Sequence, residues 1–163
     1  MNGSGQFGDD FTDFARKTLL RADLLKRAVA IKLFSSIIKD SPTGDPDYWK
    51  GKPPKGYVGG RFKGNWNCTI NAPDTSRIEA PPGAKTVAEY RNFPTEGQRL
   101  ADVMKVCQAS DRKDVNWLSN SLPYAVRLEY GWSRQSPQGM VRRNHARAKR
   151  LIAQELQRVK SST

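Results

Sequence analysis

Phe7-GDDFTDFARKTLLRADLLKRAVAIKLFSSII-Lys39 is the stretch on which the fold turns. It contains no proline, and its apolar residues recur at helical spacing, which predicts one long helix over residues 7–39. At about 1.5 Å per residue such a helix spans roughly 50 Å. Asp9, Asp10 and Asp13 suit the positive end of its dipole. Phe7, Phe11, Phe14, Thr18, Ala22, Leu25, Val29 and Leu33 fall on one stripe. Leu20, Leu24, Ile31, Phe34 and Ile38 fall on nearly the opposite side. A helix at the surface of a small domain needs one apolar face, not two. Either this helix is sandwiched in its own core, or one face packs at home and the other meets a neighbouring subunit. The chain offers few other apolar segments to cover both sides. That shortage favours the second reading and makes Leu20, Leu24, Ile31, Phe34 and Ile38 a candidate subunit interface.

Asp40-Ser41-Pro42 ends the helix, because proline cannot continue it. Residues 41–59 hold Pro42, Pro46, Pro53 and Pro54 with Gly44, Gly51, Gly56 and Gly59, and carry Tyr48, Trp49 and Tyr57 among Lys50, Lys52 and Lys55. Residues 72–85 form a second loop with Pro73, Pro81, Pro82 and Gly83. Loops of this length are functional or disordered rather than simple connectors, and both are expected to be mobile in a free subunit. Between them, Phe62 to Asn71 alternates like a strand, with Phe62, Trp66, Cys68 and Ile70 on one face. Thr86–Tyr90 and Val115–Ser119 read as further short strands. Thr95-Glu-Gly-Gln98 is a capping-box pattern, opening a helix that buries Leu100, Val103, Met104 and Cys107. Ser121–Tyr130 reads as strand or short helix, with the helix favoured and Gly131 closing it. Met140–Lys160 is a basic helix with Val141, His145, Ala148, Ile152, Leu156 and Val159 on one face. The expectation is a single α+β domain over residues 1–163: a long N-terminal helix, a small antiparallel sheet of three to four strands, two further helices, and long Pro/Gly-rich loops.

The chain has 163 residues, 37% of them hydrophobic, with mean hydropathy -0.72. Lys and Arg number 28 against 16 Asp and Glu, for a net charge of +12. Such a balance favours a polyanion, an acidic partner surface or a membrane face. Nothing in it approaches a membrane-spanning run or a secretion signal. Cys68 and Cys107 are far apart in sequence and read as buried thiols rather than a metal pair or a disulfide. The single histidine, His145, lies on an apolar stripe, where a packing role outweighs a catalytic one. Gly56-Tyr-Val-Gly-Gly60 lacks the Gly-Lys-Ser/Thr ending of a phosphate loop. No nucleophile–base pair or metal spacing is evident, so the expectation is a non-enzymatic chain that needs no cofactor.

The remaining signal is a docking surface. Asn120 to Val141 packs Tyr124, Tyr130 and Trp132 around one acid, Glu129. That carboxylate either bonds to backbone amides of the turn Gly131–Arg134 or pairs with an arginine of another subunit, Arg61 and Arg127 being the candidate partner types. The basic helix sets seven Lys/Arg between Arg142 and Lys160 against Glu155 alone, which suits phosphate contact or an acidic protein neighbour. Arg142, Arg143, Arg147 and Arg150 are its candidate contact residues.

Two separated motifs carry a resemblance. Gly60-Arg61-Phe62 followed by Asn65-Trp66 resembles the Gly-Arg-(Phe/Leu)…Trp motif of the tail-completion (neck, minor tail component) proteins of long-tailed bacteriophages, a family that includes the lambda Z protein. Tyr124-Ala125 and Leu128-Glu129-Tyr130-Gly131 resemble the same family's Tyr-Ala…Glu-(Tyr/Phe)-Gly signature, with Ser133 and Pro137 following as expected. Val58-Gly59 stands where the family usually has Asp-Thr. The resemblance implies a structural virion protein of the neck that completes the tail and joins it to the head. It implies a homo-oligomeric ring, with a hexamer favoured and a dodecamer the alternative. The implied partners are a head-connector or head-closure protein, the tail terminator or tail tube, and genomic DNA passing through the channel. The implied location is the virion, with the host cytoplasm during assembly. A free-standing basic nucleic-acid-binding protein is the rival reading, resting on the net charge.

Overall fold

The computed structural model describes residues 3–48, 51–53 and 55–161, with side chains from residue 8 onward. The side chain of Phe7, and Trp49, Lys50 and Pro54, lie outside the described residues. The architecture is α+β. A long helix α1 (Gly3–Asp40) leads through a single-turn helix α2 (Arg61–Gly64) to strand β1 (Asn67–Ile70). Helix α3 (Glu96–Ala109), strand β2 (Asn116–Ser119), a second single-turn helix α4 (Ala125–Arg127) and helix α5 (Val141–Ser161) complete the chain.

Helix α1 begins four residues before the expected start, so Asp9, Asp10 and Asp13 lie beyond its first turn, where the dipole's pull has faded. Its C-terminal part is the spine of the molecule. Arg27 donates to the Ser110 carbonyl at the end of α3 (3.0 Å), and Lys26 reaches the carbonyl of Asp111. On another side, Asn144 donates to Asp40 (2.9 Å), and Lys32 pairs with Glu155, so α5 runs antiparallel to α1. Ile37 and Ile38 of α1 meet Phe62, Trp66, Val103, Cys107, Leu122 and Met140 in the core, with Ile31 and Phe34 packed against it.

Among the described residues the sheet has two strands, where three to four were expected. They pair antiparallel from Asn67 opposite Ser119 to Ile70 opposite Asn116. The expected strand over Phe62–Asn71 is half helical. Phe62 and Trp66 are four residues apart, a spacing shared by two strand repeats and about one helical turn, so alternation alone could not separate the two. Local polar chemistry decides it. Gly60 adopts φ 114°, which frees the chain to turn, and its N–H bonds to the Thr43 carbonyl (2.6 Å). Asn65, fully buried, donates back to the Arg61 carbonyl (2.8 Å) and closes the turn. The expected strand at Thr86–Tyr90 is a 3₁₀ turn, Val87–Glu89. There the Thr86 hydroxyl bonds to both the N–H (2.5 Å) and the carbonyl (2.9 Å) of Val58, taking the place of a strand ladder.

The capping box forms as read. Thr95 accepts from the Gln98 N–H (3.2 Å), and the Gln98 side chain accepts from the Thr95 N–H (2.8 Å). Helix α3 buries Val103 and Cys107, but Met104 points to solvent. Helix α5 is rotated from expectation. It buries Asn144, Glu155 and Val159, and leaves Val141, Ile152 and Leu156 exposed. The reason is that its partner face on α1 supplies Lys32 and Asp40, so polar α5 residues turn inward to meet them.

Among their described residues the two long loops lack regular structure over most of their length but are tied to the body. The Ile78 N–H donates to the Asn65 side chain (2.6 Å), the Asn67 side chain to the Ser76 carbonyl (3.0 Å), and the Gly44 N–H to Gln135 (3.0 Å). These clasps set a test of the expectation that both loops are mobile in a free subunit. In hydrogen exchange on the isolated subunit, the amides of Val58 and Ile78 should exchange at least about tenfold more slowly than unbonded loop amides. Equal, fast exchange throughout both loops would show that these clasps do not hold in solution.

Candidate functional site

The two motif segments, some sixty residues apart in sequence, meet in one cluster. Phe62 packs edge-on against Trp66 (centroids 5.7 Å apart, planes at 79°) and lies 6.1 Å from Tyr124. Asn120 donates to the Phe62 carbonyl (2.9 Å). The Trp66 indole donates to Ser41 (2.9 Å), which itself bonds the Ile37 carbonyl (2.7 Å), so the cluster is fastened to the end of α1. Lys63, which an alternating strand would have faced outward, is buried instead. Its ammonium donates to the Lys39 carbonyl (3.0 Å) and to Glu96 (2.5 Å), linking the C-terminus of α1 to the first turn of α3. The sequence carried no local signal for this role.

Glu129 is the organising group of the second motif, but its partners differ from both expectations. It accepts the backbone N–H groups of Met140 (3.0 Å), Val141 (2.9 Å) and Arg142 (2.8 Å), at the N-terminus of α5 rather than in the turn Gly131–Arg134. Its ion pair is with Arg142 of the same chain (3.4 Å). Of the two arginines considered as partner types, Arg61 pairs with Glu79 (3.4 Å) and Arg127 lies over the Trp132 ring (5.1 Å to the centroid). Burial raises the Glu129 carboxyl, the largest single influence. The hydrogen bonds from Arg142, Val141 and Met140 together outweigh it and hold the group below its ordinary value. A carboxylate on a helix N-terminus satisfies amides that have no partner inside the helix.

The turn between them is shaped by glycine. Gly131 sits at φ 90° and ends the short helix that α4 begins. Gly139 sits at φ 75°, and a Cβ there would lie 2.3 Å from the Glu129 carbonyl oxygen and 2.6 Å from its Oε1. Only glycine lets the chain pass this close to the carboxylate.

Around this buried knot the surface is aromatic and cationic. Tyr130 and Trp132 are exposed. Arg142 stacks over Tyr130 (4.6 Å), as Arg127 does over Trp132. Beside them a cavity of about 270 Å³ is lined by residues that include Val126, Tyr130, Met140 and Val141.

The candidate interface stripe of α1 divides in two. Ile38 is 0% exposed, and Ile31 and Phe34 pack on the core, so these three serve the subunit's own interior rather than a neighbour. Leu20 and Leu24 are 53% and 50% exposed, toward the N-terminal half of the helix. The four arginines divide as well. Arg142 is held by Glu129, and Arg143 by Asp40 (3.7 Å). Arg147 and Arg150 are exposed on α5, lining a small groove with Leu33, Ser36 and Gln154.

Cys68 and Cys107 face each other between β1 and α3 as free thiols. The neighbouring Cys107 thiol and burial raise the Cys68 thiol above its ordinary value. His145 is exposed on α5. Among the described residues no group of three or more His, Cys, Asp or Glu is placed to hold a metal ion, and no helix is long and apolar enough to cross a membrane. No protein-family model, no curated protein and no solved structure matches the chain.

Proposed function

We propose that the chain is a structural, non-enzymatic subunit of a bacteriophage neck. It completes the tail, assembles as a ring, joins the tail to the head connector or head-closure protein, and lets genomic DNA pass. The observation that carries this reading is the meeting of the two motifs. Gly60, Arg61, Phe62 and Trp66 on one side, and Tyr124, Leu128, Glu129, Tyr130 and Gly131 on the other, belong to one neighbourhood, with Phe62 touching both Trp66 and Tyr124. Residues that act together in one local architecture are a stronger basis for the resemblance than two short strings. The N-terminal part of α1, with Leu20 and Leu24 uncovered, further supports an assembling subunit. Negative-stain imaging of protein mixed with tails that lack this subunit tests it. The expected result is an added ring at the head-proximal end; decoration elsewhere, or none, would contradict it.

A second reading, single-stranded nucleic-acid binding, is favoured by the exposed Tyr130 and Trp132, each with a guanidinium over its ring. The neck reading expects weak, sequence-independent DNA binding that falls steeply with salt, because tight phosphate contact would hinder passage. Nanomolar binding at physiological salt, lost on Tyr130→Ala and Trp132→Ala, would favour the second reading instead.

A further inference from the structure

From Gly8 to Ala22, helix α1 has no cover: every residue except Ala15 and Arg21 is exposed. Phe11 and Phe14 are 63% and 66% exposed. They share a stripe with Thr18 and Ala22, and Leu19 borders it on one side. Two large aromatics left in water beside Leu19 and Leu20 form an exposed apolar patch of the kind that marks a binding surface. The helix from Gly3 to Ala22 projects about 30 Å beyond the residues that α3 and α5 cover.

The molecule also carries a surface of the same length that fits it. Helix α5 has 21 residues, so it too extends about 30 Å. Along one flank of its inner face Val141, Ile152 and Leu156 are 41%, 43% and 38% exposed, in line with the buried Val159. Charge is complementary along the two. Between Gly3 and Ala15 the arm holds Asp9, Asp10 and Asp13 and no Lys or Arg. The first half of α5 holds no acid and, besides Arg142 and Arg143, which pair with Glu129 and Asp40, carries Arg147, Lys149 and Arg150. Asp13 is paired with Arg16 (3.1 Å), which leaves Asp9 and Asp10 as the arm's outward acids, and Asp10 lies one turn before Phe14, at the border of the stripe. On the acceptor, Lys149 borders the apolar stripe on one side.

An arm cannot reach this flank of its own α5, because α5 lies antiparallel on the part of α1 from which the straight arm leaves. We infer that the arm docks on the α5 of a second copy of this chain, Phe11 and Phe14 against the Val141–Ile152–Leu156 stripe, with the acidic tip over the cationic first half of that helix. Donor and acceptor surfaces differ, so the contact is head-to-tail: each subunit gives one arm and receives one. Repeated, such a contact closes a ring if its rotation permits, and otherwise runs on as a filament. The footprint, roughly 30 Å by 10 Å, is small beside a standard interface of about 800 Å² per partner. A single contact is therefore weak, and closure of the ring supplies its strength. This assignment rests on the ring reading for closure only.

Complementation of two full-length variants tests it, read by sedimentation velocity. Phe11→Asp with Phe14→Asp removes the donor; Ile152→Asp with Leu156→Asp removes the acceptor. Circular dichroism establishes that each is folded. At roughly 0.1 mM, where a contact of this size is populated, the wild type should sediment beyond the monomer and each variant alone should be monomeric. Their mixture should form a 1:1 pair that grows no further, since only one intact donor and one intact acceptor remain. A monomeric wild type, assembly by either variant alone, or a mixture that stays monomeric would overturn the assignment. Should the acceptor variant misfold, Lys149→Glu with Arg150→Glu replaces it. This change should weaken self-association about tenfold at low salt and be rescued by Asp9→Lys with Asp10→Lys. No weakening, or no rescue, counts against the arm. Pairing as described together with no ring on joined particles would sink the neck reading and leave this assignment standing.

Discussion

Ile38→Asp should leave a chain with no cooperative unfolding transition, whereas Leu20→Asp and Leu24→Asp should melt within about 1–2 °C of the wild type. All three residues lie on one stripe of α1, yet only Ile38 is closed off from water. Removing a buried isoleucine side chain costs about 2–5 kcal/mol, and burying a carboxylate in its place costs several more. The sum reaches the whole stability of an ordinary domain, about 5–15 kcal/mol. At exposed positions away from the core a substitution stays within about 0.5 kcal/mol. Thermal denaturation followed by circular dichroism reads both outcomes. A folded, cooperative Ile38→Asp chain would show that this end of the stripe is a free face after all.

Glu129→Ala should lower stability by about 3 kcal/mol, because three amides at the start of α5 lose a charged acceptor and Arg142 loses its partner. For a chain of this size that is a fall of roughly 6–12 °C in Tm. The effect depends on pH in a defined direction. The folded carboxyl lies below its ordinary value of 4.5, so the unfolded chain takes up this proton more readily. The contribution is complete above that ordinary value and is lost as pH falls through the lower folded one. Glu129→Gln should accordingly flatten the acid limb of the stability curve while leaving its slope above neutral pH unchanged. An acid limb identical to the wild type would show that Glu129 is not held as described. Gly139→Ala should be damaging at the same spot, since its Cβ would meet the Glu129 backbone and side chain together.

Parts of the fold were legible because their signals are local. The capping box at Thr95, the start of β2 and the length of the two long helices follow from periodicity and end signals within one segment. The failures have specific causes. Phe62 and Trp66 stand at a spacing that strand and helix share, and the tie-breaker was a buried Asn65 bonding to Arg61, which no periodicity displays. The inner face of α5 was misread because an apolar stripe normally turns inward. Here Lys32 and Asp40 draw Glu155 and Asn144 in, and Ile152 and Leu156 stay out. The site followed the same pattern. The segment around Glu129 was identifiable by its density of aromatics around one acid. Its partner amides lie 11–13 residues on, across a turn that closes only because Gly139 tolerates φ 75°. Lys63 was invisible for want of any signal that survives without the third dimension.

Head–tail joining is the measurement that bears most directly on the central reading. Tails produced without this subunit are mixed with filled heads, and purified protein is added back, wild type or carrying Phe11→Asp with Phe14→Asp. The account predicts that the wild type restores infectious particles and that the arm variant, folded and monomeric, restores few or none. Tails that join heads equally well with no added protein would contradict it.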